Sequence, residues 1–312
     1  MAQAPIREAD DFLRDALAGL SGEPKAVPGK YLWDETGSEL FDRICGHPDY
    51  YPTARETALL PAVAAEVAAI VGPGASVVEF GAGASRKVRI LLDALEAPER
   101  YVGLDISGAY LEAAIARLAP AYPAVTMTPV RGDYTKPVHL PAGVVGAKVL
   151  GFFPGTSIGN FTPEQAIAFL ERARETLGPS HFLIGVDPMR DPERLHRAYG
   201  GSGGLMAAFH LNLLDRMNRE LDAGFDPGRF RHEARLADAP FRTEAHLVAA
   251  QSSTCRIAGR EIAFEAGQSI RTDTSHKYAP DAFRDLAAQS GWKPERVWLD
   301  PEGAFALHLL RN

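Results

Sequence analysis

The feature that most constrains the fold is a short apolar run, Ala75 to Phe80, that passes into Gly81-Ala82-Gly83 and then into a helical pattern from Ser85 to Leu95. A strand that ends on glycines and hands over to a helix is the first half of a βαβ unit. Glycine there permits the tight turn and lets the backbone approach a ligand closely. A second apolar run, Tyr101 to Ile106, completes the unit and ends on Asp105. An acid in that place can accept both ribose hydroxyls of an adenine nucleoside. A dinucleotide fingerprint wants a third glycine where Arg86 stands, which turns the reading away from nicotinamide cofactors and an oxidoreductase. No Gly-Lys-Ser/Thr follows, so a phosphate-binding P-loop is excluded. The bland alternative is a plain turn with a surface Asp.

The alternation continues. Helical spacing over Ser107 to Leu118 is followed by strand candidates at Val125 to Val130, Lys148 to Phe153 and His181 to Val186, with a helix over Pro163 to Leu177 between the last two. Strands alternating with helices predict a parallel α/β sheet of Rossmann type. After Asp187 the rhythm changes to one long helix, Ala207 to Leu221, and short strands at Phe230 to Leu236, Thr243 to Ala250, Thr254 to Ile257 and Glu261 to Ala266, with Ala258-Gly259 as a hairpin turn. A helix over Pro280 to Gln289 and strands at Arg296 to Leu299 and Ala304 to Leu310 return to the sheet. The expected organisation is therefore a Rossmann-like domain, 54–190 with 277–312, and a second α+β domain, 1–53 with 191–276, formed by the N-terminus and an insert.

Composition narrows the partners. The formal charge is −7 with no long Lys/Arg block, against nucleic acid as a partner. No apolar stretch reaches the ~18 residues of a membrane helix, and Met1 to Asp11 does not read as a signal peptide. The only cysteines, Cys45 and Cys255, form no metal or redox motif and fit a cytoplasmic protein. A monomer acting on a small molecule, with no metal, is the expectation.

Four strings carry a resemblance. Tyr31-Leu32-Trp33-Asp34-Glu35-Thr36-Gly37-Ser38-Glu39-Leu40-Phe41 runs on to Pro48-Asp49-Tyr50-Tyr51-Pro52-Thr53; Glu79 to Lys87 is the glycine loop; Gly155-Thr156-Ser157-Ile158-Gly159-Asn160 follows the strand at Lys148 to Phe153; and Thr272-Asp273-Thr274-Ser275-His276-Lys277-Tyr278 lies near the C-terminus. Together, from about Pro28 to Leu310, they resemble the histidine Nα-methyltransferase family of ergothioneine biosynthesis. The resemblance implies a class I methyltransferase sheet with a second, substrate-binding domain. It also implies S-adenosylmethionine as cofactor and trimethylation of histidine at its α-amine to hercynine.

Carried over by position, Trp33, Gly81, Lys87, Asp105, Asp133 and Tyr134 would hold the cofactor, Asp133 at the adenine amino group. Tyr50, Asn160 and Tyr199 would hold the amine and carboxylate of the amino acid, with Tyr50 and Asn160 closest to the chemistry. Asp273 and Ser275 would face its imidazole, and Gly155 would lie where cofactor and substrate meet. The glycine run after Tyr199 reads as a lid element.

The sequence departs from the family in three places. Asp273 stands for the usual Glu, Ala245 for a frequent Met, and Trp33 for a Tyr. The first two would enlarge the pocket. They leave open a histidine derivative or a larger aromatic amino acid such as tryptophan as acceptor. A non-catalytic S-adenosylmethionine-binding protein is the other alternative, against which stand the intact Gly81, Gly83, Asp105 and Asn160.

Overall fold

The computed structural model describes residues 4–144 and 148–312, and the chain divides into two compact units. One comprises residues up to Tyr50 together with Asp191–Thr274; the other comprises Tyr51–Arg190 and Ser275–Asn312.

The second unit is a doubly wound sheet. In chain order it contains α3 (Tyr51–Val71), β1 (Ala75–Phe80), α4 (Val88–Ala94), β2 (Arg100–Asp105), α5 (Gly108–Leu118), β3 (Thr126–Arg131), β4 (Lys148–Phe153), α6 (Pro163–Leu177) and β5 (Ser180–Val186), and later α9 (Pro280–Gln289), β11 (Lys293–Leu299) and β12 (Ala306–Arg311). The sheet order is β3-β2-β1-β4-β5-β12-β11. The pairs among β1 to β5 are parallel, and β12 runs antiparallel to both β5 and β11. This order, with one reversed strand near the edge, is the Rossmann-like class I methyltransferase sheet.

Its central strands are apolar on both faces because helices cover both. Val78, Phe80, Leu104 and Phe153 pack with Phe169 of α6 and Phe283 of α9, whereas their alternating neighbours Val77, Tyr101, Leu150 and Phe152 pack with Leu60 of α3, Leu91 of α4 and Leu111 of α5. The edges carry Pro129 and Pro294, which a central strand would not tolerate.

The first unit holds α1 (Ala4–Ser21), α2 (Glu35–Cys45), α7 (Pro192–His196), α8 (Leu205–Leu221), and strands β6 (Phe230–Asp238), β7 (Phe241–Ala249), β8 (Ser253–Ile257), β9 (Arg260–Phe264) and β10 (Ser269–His276), the last of which runs on into the other unit. Strands β10-β7-β6 form one sheet, and β8 and β9 form a hairpin. Asp34 joins α2 to α8. Its carboxylate caps α2 by accepting from Gly37 N–H at 2.7 Å and also accepts from Asn212 of α8 at 2.7 Å. Burial raises the Cys255 thiol to about 11, which makes it inert. Among the described residues no helix is long and apolar enough to cross a membrane.

Two local expectations are corrected. The helix after the glycine loop begins at Val88 rather than Ser85, because Ser85 adopts a left-handed φ of 51° and its hydroxyl bonds Tyr101 at 3.0 Å instead of joining a helical turn. The inserted region has a fifth strand, β10, whose alternation of polar residues hid it.

The close approach of β5 to the loop after β4 gives a stability test. A Cβ on Gly185 would stand 2.2 Å from the Gly155 carbonyl oxygen and 2.9 Å from the Phe305 ring, and the first of these is backbone that cannot swing aside. Gly185→Ala should lower stability by about 1–3 kcal/mol, the usual cost of overpacking. Differential scanning calorimetry would read this as a lower Tm; an unchanged Tm would show that the contact yields freely.

Candidate active site

The glycine loop leaves β1 with Gly81 at φ 70° and Gly83 at φ 48°, conformations that an L side chain adopts at a cost. Gly81 N–H donates to the Leu104 carbonyl at 2.8 Å, which ties the loop to β2. Asp105 closes it. Its Oδ2 accepts from Gly83 N–H at 2.9 Å and its Oδ1 from Ser107 N–H at 2.9 Å. Each oxygen keeps a second lone pair, so the acid fixes the loop and can still accept ribose hydroxyls. Nothing lies within 4 Å of a Cβ built on Gly83, so the loop faces open space there. Tyr134 comes within 3.6 Å of a Cβ built on Gly81 and packs edge-on to Phe80 and Phe153. Asp133, one residue earlier, accepts from Thr135 N–H at 2.9 Å and turns the chain after β3. Sequence-selected Gly81, Asp105 and Tyr134 thus meet at the C-terminal ends of β1 to β3, where open α/β sheets bind ligands.

Beneath this loop are two buried carboxyl groups that sequence reading did not single out. Glu56 of α3 is 0% exposed. It pairs with the Lys87 ammonium and accepts from Gly155 N–H at 2.9 Å, so it joins two residues selected from sequence. A signal for it existed. Glu56, Leu60, Val63, Val67 and Val71 are all buried at helical spacing on α3, and a carboxylate on a core-facing stripe requires a partner. Glu79, at the end of β1, accepts from the Tyr101 hydroxyl at 2.6 Å. Burial raises its carboxyl to about 8, outweighing the Tyr101 bond and the attraction of Lys87, so Glu79 is protonated at neutral pH.

Asn160 is exposed at the end of the tight turn Ser157–Asn160 after β4. That turn packs on the end of β10. The Gly159 carbonyl accepts from His276 Nδ1–H at 2.9 Å, and a Cβ on Gly159 would stand 3.3 Å from Ser275 Oγ and 2.7 Å from the His276 carbonyl oxygen. Ser275 is itself held by the Lys277 ammonium at 2.9 Å, and Lys277 pairs with Asp187 at 2.6 Å. Asp187 also accepts from Tyr51 OH at 2.6 Å and Met189 N–H at 2.9 Å. Tyr51, Asp187 and Lys277 were not selected from sequence, although Tyr51 and Lys277 stand inside the strings that were.

The other sequence-selected residues belong to the first unit. Tyr50 is buried and meets Tyr199 edge-on, with ring centroids 5.9 Å apart. Phe41 lies edge-on to Tyr50 at 5.8 Å and to Trp33 at 4.8 Å, and Phe209 of α8 packs on both Phe41 and Trp33. Five rings thus form one contiguous aromatic group. Tyr199 sits in the wide turn Arg197–Gly201, a π-type irregularity of the kind often found at functional sites. In the glycine run, Ser202, Gly203 and Gly204 are three successive left-handed residues that lead into α8.

Asp273 lies against the backbone of Gly29, whose Cβ, if present, would be 2.7 Å from Asp273 Oδ1. Thr272 donates to the Ala245 carbonyl at 3.2 Å, so the 2.8 Å contact to His210 requires His210 Nδ1–H as donor. Burial lowers the pKa of His210 well below its ordinary value and keeps it neutral.

A sheet of this order and a glycine loop closed by Asp105 suit an adenosyl cofactor of the methyltransferase class. Residues 12–312 match the family described as histidine-specific methyltransferase, SAM-dependent, and the chain belongs to that family. It is 37% identical over 307 residues to the histidine N-alpha-methyltransferase of Mycolicibacterium smegmatis, covering 96% of this chain and 95% of the relative. It is 37% identical over 302 residues to the histidine N-alpha-methyltransferase of Mycobacterium tuberculosis, covering 95% and 93%. To ergothioneine biosynthesis protein 1 of Neurospora crassa it is 34% identical over 295 residues, which are 92% of this chain and 33% of that longer protein.

The protonated Glu79 carries a pH signature. Its carboxyl titrates near 4.5 when unfolded and near 8 when folded, so between those values the unfolded chain has lost a proton that the folded one keeps. The stability this group contributes is full below about pH 4.5 and is lost as pH rises toward 8, at up to ~1.4 kcal/mol per pH unit. Glu79→Gln should therefore show a flatter stability profile than wild type over that window. Parallel slopes in urea titrations across the window would mean that Glu79 is ionised in the folded protein.

Proposed function

We propose that the protein transfers methyl groups from S-adenosylmethionine to the α-amine of L-histidine, three in succession, giving the betaine hercynine on a route to ergothioneine. The observation that carries this reading is a closed adenosyl loop in a chain that belongs to the histidine-specific family. The cofactor would supply an electrophilic methyl on its sulfonium. Asp105 would accept the ribose hydroxyls, Asp133 the adenine amino group, and Lys87 would offer its ammonium to the methionine carboxylate while Glu56 steadies it. Gly155 would lie beside the transferred methyl, and Trp33 and Tyr134 would wall the cofactor.

On this reading Asn160 donates to the amino-acid carboxylate and accepts from the amine, which suits an amide with both functions. Tyr50 and Tyr199 hold the same end. A free α-amine has a pKa near ~8, so positioning must also favour its neutral form, and surroundings that withhold solvent do so. Orientation alone can supply up to ~7–11 kcal/mol. The ring group of Tyr50, Tyr199, Phe41, Phe209 and Trp33 suits a centre that grows more apolar and ends as a quaternary ammonium without an N–H. Asp273 and Ser275 would read the imidazole. A cytoplasmic setting fits a chain with only two cysteines and no redox or metal motif between them.

A second reading, a larger aromatic acceptor, is favoured by small residues near β10, where Thr272 donates to the Ala245 carbonyl. Ala245 faces Ala234 across the β6–β7 pair, and Ala234 lies against Gly200.

Incubation with the cofactor and a mixture of amino acids, followed by mass spectrometry, should give histidine carrying one, two and three added methyl groups. Methylated tryptophan with unmodified histidine would overturn the first reading in favour of the second. Asn160→Ala should reduce kcat/KM for histidine about 10–100-fold, the cost of ~1–3 kcal/mol of lost hydrogen bonding, while binding of S-adenosylhomocysteine by calorimetry stays at the wild-type value.

A further inference from the structure

The glycine loop turns left-handed at every second residue, with Gly81 at φ 70°, Gly83 at φ 48° and Ser85 at φ 51°. The two glycines enter that region without steric cost, whereas the Cβ of the serine strains it there. Ser85 is buried, its N–H donates to the Ala82 carbonyl at 2.8 Å, and its Oγ lies 3.0 Å from the Tyr101 hydroxyl. Tyr101, on β2, is also buried and donates its single phenolic hydrogen to Glu79 at 2.6 Å. With that hydrogen committed, the phenol oxygen is the acceptor and Ser85 the donor. The two bonds make one chain, from the loop through Tyr101 to the end of β1. Gly103 leaves the space for it. A Cβ there would stand 3.1 Å from the Tyr101 hydroxyl and 3.2 Å from Ala82 Cβ, so a side chain would wedge the phenol and the loop apart. All these residues belong to the same unit as the sheet.

We propose that Tyr101 is a positioning residue for the cofactor: its hydroxyl holds Ser85 left-handed from beneath and so keeps the glycine loop in the shape that receives the adenosyl group. This rests on the reading above that the loop holds S-adenosylmethionine, and deepens it by naming a buried residue that acts on the loop only through Ser85. A glycine at 85 would enter the left-handed region freely but leave it as freely. A serine whose hydroxyl is bonded stays there, so the loop is formed before the cofactor arrives and binding need not order it.

The test is calorimetric binding of S-adenosylhomocysteine to the full chain, with Tm measured on each variant. Ser85→Ala removes the hydroxyl but keeps the strain, and should weaken binding about tenfold. Ser85→Gly removes the same hydroxyl without the strain, and should bind more tightly than Ser85→Ala and less tightly than wild type. Tyr101→Phe should weaken binding about tenfold when Ser85 is present. In the Ser85→Ala and Ser85→Gly backgrounds it should weaken binding by no more than about twofold, because the bond it removes is already gone. In turnover, Tyr101→Phe should raise KM for the cofactor and leave KM for the acceptor at the wild-type value. A merely structural role would lower Tm and weaken binding by the same factor in all three backgrounds. That result, or wild-type affinity in Tyr101→Phe, overturns the proposal. Asp105→Ala separates its failure from that of the reading beneath it. If Asp105→Ala weakens binding while Tyr101→Phe does not, the loop holds the cofactor and the proposal alone falls. If Asp105→Ala binds as tightly as wild type, the reading of the loop falls and takes the proposal with it.

Discussion

The sheet-bearing unit depends on one buried carboxylate. The chain leaves or enters this unit at three places, after Tyr50, after Arg190 and after Thr274. Asp187, just past β5, gathers all three. It accepts from the Tyr51 hydroxyl at the first, bonds Met189 N–H at the second, and pairs with Lys277 at the third, while its own carbonyl accepts from Tyr278 N–H at 3.0 Å. Burying two charges costs several kcal/mol per ion, which only good geometry and further hydrogen bonds repay. Apolar residues could hold the same segments more cheaply. What a charged junction adds is direction, since each partner is fixed as donor or acceptor.

The same logic governs the glycine loop, with an instructive contrast between two buried acids. Glu56 meets a cation and a backbone N–H, so its charge is answered and it ties Lys87 to Gly155. Glu79 meets a phenol and is driven to its neutral form by burial. One acid holds a cation at the loop, and the other supports β1 without adding a buried charge. Asp105, less buried, spends one lone pair of each oxygen on the loop backbone and keeps the others for a ligand.

Much of this was legible in the sequence because it is local. Gly81, Gly83 and Asp105 lie in one βαβ unit, and the apolar runs of β1, β2, β4 and β5 stand out against turn residues. Asn160 and Ser275 were singled out only as members of unusual strings, since an amide before a turn or a serine on a strand has many ordinary roles. Glu56 and Asp187 were missed because their partners lie 99 and 90 residues away along the chain. Helix α4 was begun too early because the bond from Ser85, in the loop after β1, to Tyr101 of β2 spans 16 residues and leaves no local periodicity. The β10 strand was hidden for the opposite reason: apart from Ile270 its buried positions Thr272, Ser275 and His276 are polar, where a core strand would be apolar.

The departures at Asp273 and Ala245 bear on how such an enzyme can stay selective. The Asp273 carboxylate is set against Gly29, where a side chain would collide with it, so the approach of the N-terminal segment rather than the length of the acid fixes its place. Val27 N–H bonds the Arg271 carbonyl at 2.9 Å and holds that segment to β10. If both line the acceptor pocket, as proposed above, a short acid at 273 and a small residue at 245 would reduce selection by shape. Shape is the weaker filter in any case, since a methylene in an apolar pocket is worth only ~1–3 kcal/mol, whereas a site built to hydrogen-bond its substrate can reject an analogue lacking the group by a factor of ~10⁴ or more. On that reading, a pocket that gives up fit would keep histidine as its acceptor through its hydrogen bonds rather than its shape.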